Sequence, residues 1–327
     1  MTKITDKIYG KIEFTKPVLV DLINSPPLQR LKKISQDGGP HFIQPVRKTT
    51  RYEHSLGVCY LSKKYHRSTE EQIASLLHDI SHTAFSHVAD FVVGNKKNEF
   101  HEEFRDEFIL NSEISKILKR HRINLAIVLK KENFWLLEND LPDLSIDRLD
   151  YFLRDGYCIG FLPKKLIKEF LADLKIKEKK LCFTNIRIAA LFSILFMSFS
   201  RLIWLDPNSH GSFFLLANAI KIALKKRAIC KKDLFTNDGV LFSKLKNSKI
   251  KKVSQFLDRL RPGMEFKYSP KKKAEFYGPS KPRIVNPFVI TKNGLKRISE
   301  LVPSLSYAFE EFSKRYKNIG VSPINNF

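Results

Sequence analysis

The spacing of apolar residues along the chain predicts a mainly helical body. Two short helices are expected within residues 17–36, separated by a proline pair. A turn at Asp37-Gly38-Gly39-Pro40 then precedes a short extended segment at residues 41–46, and residues 180–186 alternate as a strand does. Apolar positions at helical spacing predict further helices over residues 55–65, 70–82, 99–121, 145–155, 163–175 and much of 188–227.

The pattern changes near residue 230. Lysine runs multiply after this point, Pro, Gly and Tyr punctuate residues 262–287, and residues 283–290 resemble a strand. We therefore predict a mainly α fold, with a helical bundle over residues 1–230 and a smaller basic α+β part over residues 231–327.

Composition is that of a folded protein with an excess of positive charge. The 327 residues are 43% hydrophobic and 12% aromatic, enough to form a buried core. Lys and Arg outnumber Asp and Glu by 58 to 34, which gives a net charge of +24. Solvated lysine-rich helix faces explain such a charge, and so does a polyanionic partner such as a nucleotide or a nucleic acid.

Cysteine usage and hydropathy favour a cytoplasmic location. The four cysteines are scattered and form no CxxC pair, as expected of reduced thiols. The first ten residues contain no apolar signal region. The longest apolar stretch, residues 188–200, is too short to cross a bilayer and is expected to be a buried helix, so we predict no membrane association.

Residues 78–90 read HDISHTAFSHVAD and concentrate three histidines and two aspartates. On one continuous helix, His78, Asp79 and His82 fall within about 100° of arc, and His87 and Asp90 extend that side to about 180°. Imidazoles and carboxylates on one side of a helix suit a divalent cation and its water. This segment therefore predicts the centre of a metal-dependent hydrolase.

Two further segments carry polar residues that can join this centre. In SIDRLDYFLRD, Asp150, Tyr151, Arg154 and Asp155 all lie within about 80° of Asp147 on a helix, where they form either an exposed ion-pair ladder or a second wall of the site. The segment RYEHSLGV adds His54 and Arg51 just before a predicted helix; a lone histidine here would more often be structural, and such an arginine is more often a surface residue.

The order of these groups along the chain resembles the HD-domain phosphohydrolase superfamily. His54, His78, Asp79 and Asp147 match the four metal ligands of that superfamily. The resemblance implies an HD-domain helical bundle that holds one divalent ion, iron, manganese, zinc or magnesium, with open positions for water and phosphate.

Longer matches resemble the deoxynucleoside triphosphate (dNTP) triphosphohydrolase branch, which includes the sterile-alpha-motif and HD-domain dNTPase. Its HDxGHxPFSHxxD, RFEHSLGV and DYFxRD patterns stand beside HDISHTAFSHVAD, RYEHSLGV and DYFLRD here, and its QRLxxIxQxGG matches residues 29–39. The resemblance is strong over residues 17–160 and faint afterwards, apart from KPRIVNP at 281–287. Only about sixteen residues precede it, so no sterile-alpha-motif domain is expected.

The resemblance implies catalytic roles for five residues around the metal. His82 and His87 are expected to contact phosphates and to exchange protons with the leaving oxygen. Asp90 is expected to orient His87 and to favour its protonated form. His101 and Glu102 are expected to form a second pair of this kind.

Substrate contacts follow from the same resemblance. Arg51 and Arg148 are expected to neutralise the triphosphate, with Arg148 at a position that is often Lys in the family. Gln36 and Asp155 are expected to contact the sugar, and Tyr151 to pack against it and so exclude a ribose 2′-hydroxyl. A second magnesium ion can accompany the nucleotide, and the implied products are a deoxynucleoside and inorganic triphosphate.

Downstream of Phe183 the match weakens. Trp204 stands at the aromatic position of the family's Tyr-x-His-Lys segment but the His-Lys pair is missing, and Arg201 is the nearest candidate for a phosphate-binding arginine on a helix. The basic segment 270–283 interleaves Lys with aromatic residues, as a solvated loop or a nucleic-acid contact does. The family commonly assembles, which implies a homo-oligomer.

Three functions stay open from the sequence. The first is a dNTP triphosphohydrolase, the second an HD phosphohydrolase acting on another nucleotide or phosphate ester, and the third an HD nuclease or nucleic-acid-binding protein. The net charge of +24 favours the third, whereas the complete ligand set favours an enzyme.

Overall fold

Helices account for most of the fold in the computed structural model, which describes residues 1–94 and 100–324. The α-helices are α1 (Pro17–Asn24), α2 (Pro26–Arg30), α3 (Pro40–Ile43), α4 (Arg51–Lys64), α5 (Thr69–Leu77), α6 (Val88–Val93), α7 (Phe100–Glu103), α8 (Arg105–Leu110), α9 (Glu113–Arg120), α10 (Leu125–Leu129), α11 (Ile146–Cys158), α12 (Lys164–Asp173), α13 (Ile186–Phe199), α14 (Pro207–Lys225), α15 (Asp238–Asn247), α16 (Lys251–Asp258), α17 (Ile298–Leu301) and α18 (Pro303–Arg315). Short 3-10 helices cover Leu31–Lys33, Lys131–Asn133 and Lys231–Phe235, and Ser200–Trp204 forms a π-helical turn. The structure is thus mainly helical, as predicted.

Within residues 1–94 and 100–324 the strands form three small sheets. They are β1 (Thr2–Asp6), β2 (Gly10–Phe14), β3 (Leu174–Lys177), β4 (Lys180–Phe183), β5 (Phe266–Tyr268), β6 (Phe276–Pro279), β7 (Phe288–Thr291), β8 (Gly294–Arg297) and β9 (Asn318–Pro323). β1 and β2 form an antiparallel hairpin, the second sheet has the order β3-β4-β7-β8, and the third β5-β9-β6.

The C-terminal part contains both helices and strands, consistent with the predicted α+β character. β4 pairs in parallel with β7, so one sheet joins strands from both sides of residue 230. The division into residues 1–230 and 231–327 stays a prediction.

A cluster of aromatic side chains packs α11 against α13. Phe152, Phe192, Phe196 and Phe199 are fully buried, with ring centroids 5.0 to 5.7 Å from Phe152 to the other three. α13 continues into the π-helical turn, so the apolar helix is longer than predicted and runs over 19 residues, Ile186–Trp204. The length and composition of this helix alone would allow it to cross a bilayer. Its residues Phe192, Phe196 and Phe199 are instead buried in the protein core, as in a core helix.

The predicted continuous helix over residues 78–90 is wrong. α5 ends at Leu77, residues 78–87 form turns, and α6 begins at Val88. Within the turns Phe85 and Ser86 have φ values of 60° and 51°, the left-handed region that breaks a right-handed helix. The backbone N–H groups of the turn donate to distant acceptors instead: that of Ala84 to the Leu234 carbonyl at 2.7 Å and that of Phe85 to Asp238 Oδ1 at 2.7 Å.

Other boundaries also differ from the sequence expectation. The proline pair does separate α1 from α2, whereas residues 41–46 are not extended, because Pro40 begins the short helix α3. Residues 283–287 carry no strand, since Pro282 and Pro287 lack the N–H donors of a ladder, and β7 starts at Phe288. The predicted helix 99–121 is divided into α7, α8 and α9, and position 99 lies outside the described residues.

Candidate active site

A capping box places the first residues of the site. The Thr50 hydroxyl accepts the backbone N–H of Glu53, and the Glu53 carboxylate accepts that of Thr50, so α4 begins at Arg51. Arg51 and His54, three residues apart, therefore lie on the same side of α4 at its N-terminus, and both are buried. Ser145 caps α11 in a similar way by accepting the N–H of Arg148, which places Asp147 in the first turn.

The four predicted ligands converge where α4, the end of α5 and the start of α11 meet. His54 Nε2 lies 3.1 Å from His78 Nε2, 2.9 Å from Asp147 Oδ1 and 3.6 Å from Asp79 Oδ2. His78 Nε2 lies 3.4 Å from Asp147 Oδ1 and 3.6 Å from Asp79 Oδ2. Neighbouring donors around an ion bound at 2.0–2.1 Å lie roughly 3 Å apart, so this set has the spacing of a coordination shell.

The hydrogen bonds of the two imidazoles also fit a cation. His54 Nδ1 bonds Asp150 Oδ2 at 2.8 Å and His78 Nδ1 bonds the Ser75 carbonyl at 2.8 Å. With a proton on each Nδ1 atom, both Nε2 lone pairs point to the same space and can bind one cation there, in place of the second proton that His54 carries in the metal-free protein. We conclude that His54, His78, Asp79 and Asp147 form a cluster able to hold a divalent ion.

The carboxylates of the cluster stabilise a positive charge beside them, either a proton on a histidine or a bound cation. Burial disfavours a charged His54, yet hydrogen bonds to Asp147 and Asp150 outweigh it and raise the pKa of His54 to about 10. Burial also opposes ionisation of Asp79, but Arg51 and the neighbouring histidines hold the pKa of its carboxyl well below the ordinary value. The carboxylates are therefore ionised at neutral pH, as metal ligands must be.

Asp150 supports the cluster from behind. Its carboxylate is fully buried and accepts from His54 Nδ1, from the Tyr9 hydroxyl at 2.7 Å and from Arg154 Nε and Nη2 at 2.9 Å each. Arg154 Nη1 donates in turn to Asp6 at the end of β1, at 2.9 Å. The predicted second wall is thus divided: Asp147, Tyr151 and Asp155 line the cavity, whereas Asp150 and Arg154 lie behind His54.

Gly57 in the RYEHSLGV segment makes this arrangement possible. A Cβ atom at Gly57 would lie 1.9 Å from Asp150 Oδ1 and 2.3 Å from Arg154 Nη2. α4 and α11 therefore approach closely only because this position has no side chain.

Three more histidines lie beside the ligand cluster. The rings of His82 and His101 stack with centroids 3.7 Å apart, and His82 Nε2 lies 3.2 Å from Asp79 Oδ1. Burial and the charge of Arg51 lower the pKa of His82 to about 3, so it is neutral. Asp79, His82 and His101 can also form a second group of metal-ligating atoms that shares Asp79 with the first.

His87 and Asp90 form the predicted contact, but the protonation state of His87 differs from the prediction. His87 Nδ1 lies 3.0 Å from Asp90 Oδ2, which orients the ring. Burial nevertheless lowers the pKa of His87 and outweighs Asp90, so the neutral imidazole is favoured in the free protein. The expected His101–Glu102 pair is not formed, because Glu102 Oε2 accepts from Lys131 Nζ at 2.6 Å.

A cavity of about 900 Å³ opens beside the cluster, and the predicted sugar contacts lie on its wall. Gln36, Tyr151, Asp155 and Trp204 all line it, with the Tyr151 and Trp204 rings 5.2 Å apart and perpendicular. Burial and the nearby carboxylate of Asp37 raise the pKa of Asp155 to about 7, and its Oδ1 makes no hydrogen bond within the described chain.

The two predicted phosphate-binding arginines also line the cavity but already have protein partners. Arg51 donates to Asp79 Oδ2 at 2.6 Å, to Ser86 Oγ at 2.9 Å and to the Gln36 carbonyl at 3.3 Å. Arg148 donates through its two Nη atoms to the carbonyls of Asp143 and Asn139. Arg201, the candidate helical arginine, is exposed and does not line the cavity.

Sequence reasoning missed several cavity residues. Arg47 pairs with Asp37 at 2.9 Å, Lys131 pairs with Glu102 and Glu138, and Arg283 enters from the C-terminal part. Only KPRIVNP gave a signal for Arg283, and no motif pointed to Lys131, at the start of a short 3-10 helix, or to Glu138.

This fold and ligand set define a class, the metal-dependent HD phosphohydrolases. A family model described as HD domain matches residues 51–155, from Arg51 to Asp155 of the site. The chain is 36% identical to the uncharacterized protein YdhJ of Bacillus subtilis (strain 168) over 286 residues, which cover 85% of this chain and 88% of YdhJ. The chain therefore belongs to the HD-domain phosphohydrolase superfamily, as its motifs predict.

Other relatives are more distant. The chain is 32% identical to the metal-dependent phosphohydrolase cns2 of Cordyceps militaris, over 62% of this chain and 61% of that protein. It is 27% identical to the deoxynucleoside triphosphate triphosphohydrolase SAMHD1 of Mus musculus, over 55% of this chain and 36% of that protein. A solved phosphohydrolase structure from Bacteroides thetaiotaomicron shares the fold over the full length of both chains, with a TM-score of 0.78 and 20% identity.

Proposed function

We propose that this protein hydrolyses dNTPs to a deoxynucleoside and inorganic triphosphate. The observation that supports this proposal is that three of the four ligands, His54, Asp79 and Asp147, line a cavity. The other walls of this cavity supply Tyr151 and Asp155 on one side and several cations on another. A cavity of about 900 Å³ is large enough for a nucleotide. The 27% identity to the mouse dNTPase supports the choice of substrate.

The cluster would hold one divalent ion through His54, His78, Asp79 and Asp147. Such an ion lowers the pKa of a bound water and polarises a phosphoryl oxygen, so hydrolysis proceeds near neutral pH. The identity of the metal is left open by these ligands, since iron, manganese, zinc and magnesium all accept imidazole or carboxylate donors. A second magnesium ion accompanying the nucleotide stays a prediction.

Protein groups around the cluster supply the proton for the leaving group. In the proposed reaction water attacks the α-phosphorus and the bond to the sugar 5′-oxygen breaks, so that oxygen needs a proton. His87 is held through Nδ1 by Asp90, which leaves Nε2 to exchange that proton. Bound phosphates raise the pKa of a nearby imidazole, which would offset the burial that keeps His87 neutral in the free protein.

Sugar selection would come from the aromatic wall. We assign Tyr151 to pack against the deoxyribose, and Asp155 and Gln36 to bond its hydroxyl groups. The Asp155 carboxyl, with a pKa of about 7 and a free Oδ1, can donate or accept such a bond. A ribose would place an additional hydroxyl against the Tyr151 ring, where it loses its hydrogen bonds to water.

A second candidate is hydrolysis of a different nucleotide or phosphate ester. The greater identity to cns2, named a metal-dependent phosphohydrolase, favours it. A nuclease or nucleic-acid-binding role is a third, favoured by the net charge of +24 and by the exposed lysines 271–273. Homo-oligomerisation and a cytoplasmic location stay predictions from the sequence.

Product analysis separates these candidates. The purified protein is incubated with manganese and each dNTP, rNTP, dNMP and single-stranded DNA. Triphosphate released from dNTPs alone supports the first proposal, inorganic phosphate from monophosphates the second, and shortened oligonucleotides the third. His78→Ala and Asp79→Ala should abolish the activity, and persistence would exclude this site.

A matched control comes from the surface of the same chain. Asp21 and His121 form an ion pair at 2.6 Å that does not line the cavity. The Asp21→Ala, His121→Ala double variant loses the same two residue types and should keep wild-type activity.

A further inference from the structure

The segment from the last residue of β6 to the start of β7, which we call the C-terminal strap (residues 279–287), brings a cation to the cavity. Pro279, Ser280, Lys281 and Arg283 line the same cavity as the metal ligands. The strap lies more than 120 residues after Asp147 in the chain, so it completes the cavity only in the folded protein.

Contacts in the middle of the strap and near its C-terminal end hold it in place. The backbone N–H of Arg283 donates to Ser200 Oγ at 3.1 Å, at the start of the π-helical turn that ends with Trp204. The backbone N–H of Asn286 donates to the Pro142 carbonyl at 2.9 Å, and Val285 between them is fully buried. The Arg283 backbone is therefore fixed relative to the cavity.

The Arg283 guanidinium lies against the aromatic wall. It stands 5.2 Å from the ring centroid of Tyr151 and 5.2 Å from that of Trp204. Within the described residues it pairs with no carboxylate, whereas Arg47 and Arg51 of the same cavity bond Asp37 and Asp79.

The charge of Arg283 reaches the residues of the site. Arg283 and His87 both line the cavity. Burial lowers the pKa of His87, the Asp90 carboxylate opposes this, and the charges of Arg51 and Arg283 add to the lowering. Arg283 and His87 thus face the same space, and an anion placed there would interact with both. The N–H groups of a guanidinium form a fork that matches two oxygens of a phosphate. Contacts with aromatic rings do not use these N–H groups as hydrogen-bond donors to an oxygen, so they can still bind a phosphate.

We propose that Arg283 binds the triphosphate chain of the nucleotide, so that the C-terminal strap supplies a phosphate-binding residue to the HD-domain site; this rests on the proposed function. Arg283 then offers the triphosphate a guanidinium without a carboxylate partner, whereas Arg51 and Arg148 would have to break hydrogen bonds to the protein before binding it. The ring contacts hold its side chain ready for the substrate.

The test compares Arg283→Gln and Arg283→Lys with Arg315→Gln. Arg315 is a matched control, because it also stands over an aromatic ring in the C-terminal part, 5.7 Å from Tyr316, but does not line the cavity. Calorimetry on the metal-loaded proteins measures binding of inorganic triphosphate and, separately, of a deoxynucleoside. Thermal melting checks that each variant is folded.

We expect Arg283→Gln to weaken triphosphate binding roughly 10- to 100-fold, as for loss of a charge-assisted bond, and to leave deoxynucleoside binding unchanged. Arg283→Lys should recover part of the affinity because it keeps the charge but not the fork. Arg315→Gln should match the wild type.

Three results would overturn the inference: no triphosphate binding by the wild type, unchanged triphosphate binding by Arg283→Gln, or an equal loss for the deoxynucleoside. The last would show that Arg283 merely supports the aromatic wall. Arg283-dependent triphosphate binding without hydrolysis of any dNTP would reject the proposed function while leaving the phosphate-binding role of Arg283 in place.

Discussion

Replacing Asp150 by Asn should weaken metal binding although Asp150 is not a predicted ligand. The Asp150 carboxylate holds His54 Nδ1 at 2.8 Å and so fixes the ring with Nε2 towards the other ligands. An Asn side chain has nearly the same shape, but it carries no charge and one of its two polar atoms is a donor. The His54 ring loses the charged partner that makes its Nε2 a stronger ligand.

The magnitude follows from the number of contacts. Loss of the group behind a metal-bound imidazole typically weakens metal affinity by about 10- to 100-fold, or about 1.4–2.8 kcal/mol. The change also leaves Arg154 with Asp6 as its remaining carboxylate partner, at 2.9 Å. Breaking a buried ion pair costs roughly 3–5 kcal/mol of unfolding free energy, and we expect the lower end, because the amide oxygen still accepts one bond.

Two measurements separate these effects. Calorimetric titration of the metal-free protein with Mn²⁺ gives metal affinity, and urea unfolding gives stability. Tyr9→Phe serves as the control, since it removes one hydrogen bond to Asp150 and leaves the bond to His54. It should lower stability by about 1.5 kcal/mol and leave the affinity for Mn²⁺ within about twofold. An unchanged Mn²⁺ affinity in Asp150→Asn would refute the assigned role of Asp150.

Two further predictions concern packing and pH. Gly57→Ala should lower the unfolding free energy by about 1–3 kcal/mol, because the added Cβ would lie 1.9 Å from Asp150 Oδ1. The control Gly239→Ala, on α15, should be neutral or slightly stabilising, because its Cβ would meet no atom closer than 3.6 Å. Equal midpoints of urea unfolding for the two variants would contradict this prediction. Asp155 has a pKa raised from 3.8 to about 7, so the folded protein binds its proton more tightly than the unfolded chain does. Wild-type stability should therefore fall relative to Asp155→Asn as the pH rises from about 4 to 7, and parallel stability curves for the two proteins would exclude the raised pKa.

Local pattern was sufficient for many elements and for the ligand types. α4, α11 and the break at the proline pair followed from apolar spacing and proline geometry, which depend on near neighbours in the chain. The capping box at Thr50 starts α4 at Arg51, four residues before the predicted start. The ligand types and their order along the chain indicated the superfamily, which the similarity to YdhJ and the family match confirm.

Residues 78–87 show where local pattern fails. Their helical spacing predicted a continuous helix, but the N–H groups of Ala84 and Phe85 find acceptors at Leu234 and Asp238, about 150 residues later. These bonds satisfy the turn and let it adopt left-handed φ values that a local pattern disfavours. The chemistry of the segment was therefore predictable, whereas its backbone was not.

The sequence by itself determined which groups can bind a metal, since that depends on the donor atoms of His54, His78, Asp79 and Asp147. Only the tertiary structure decided that Asp150 supports the site from behind and that Arg283 reaches the cavity. The physical reason is that donor chemistry belongs to each side chain, whereas support and charge placement depend on contacts between segments far apart in the chain.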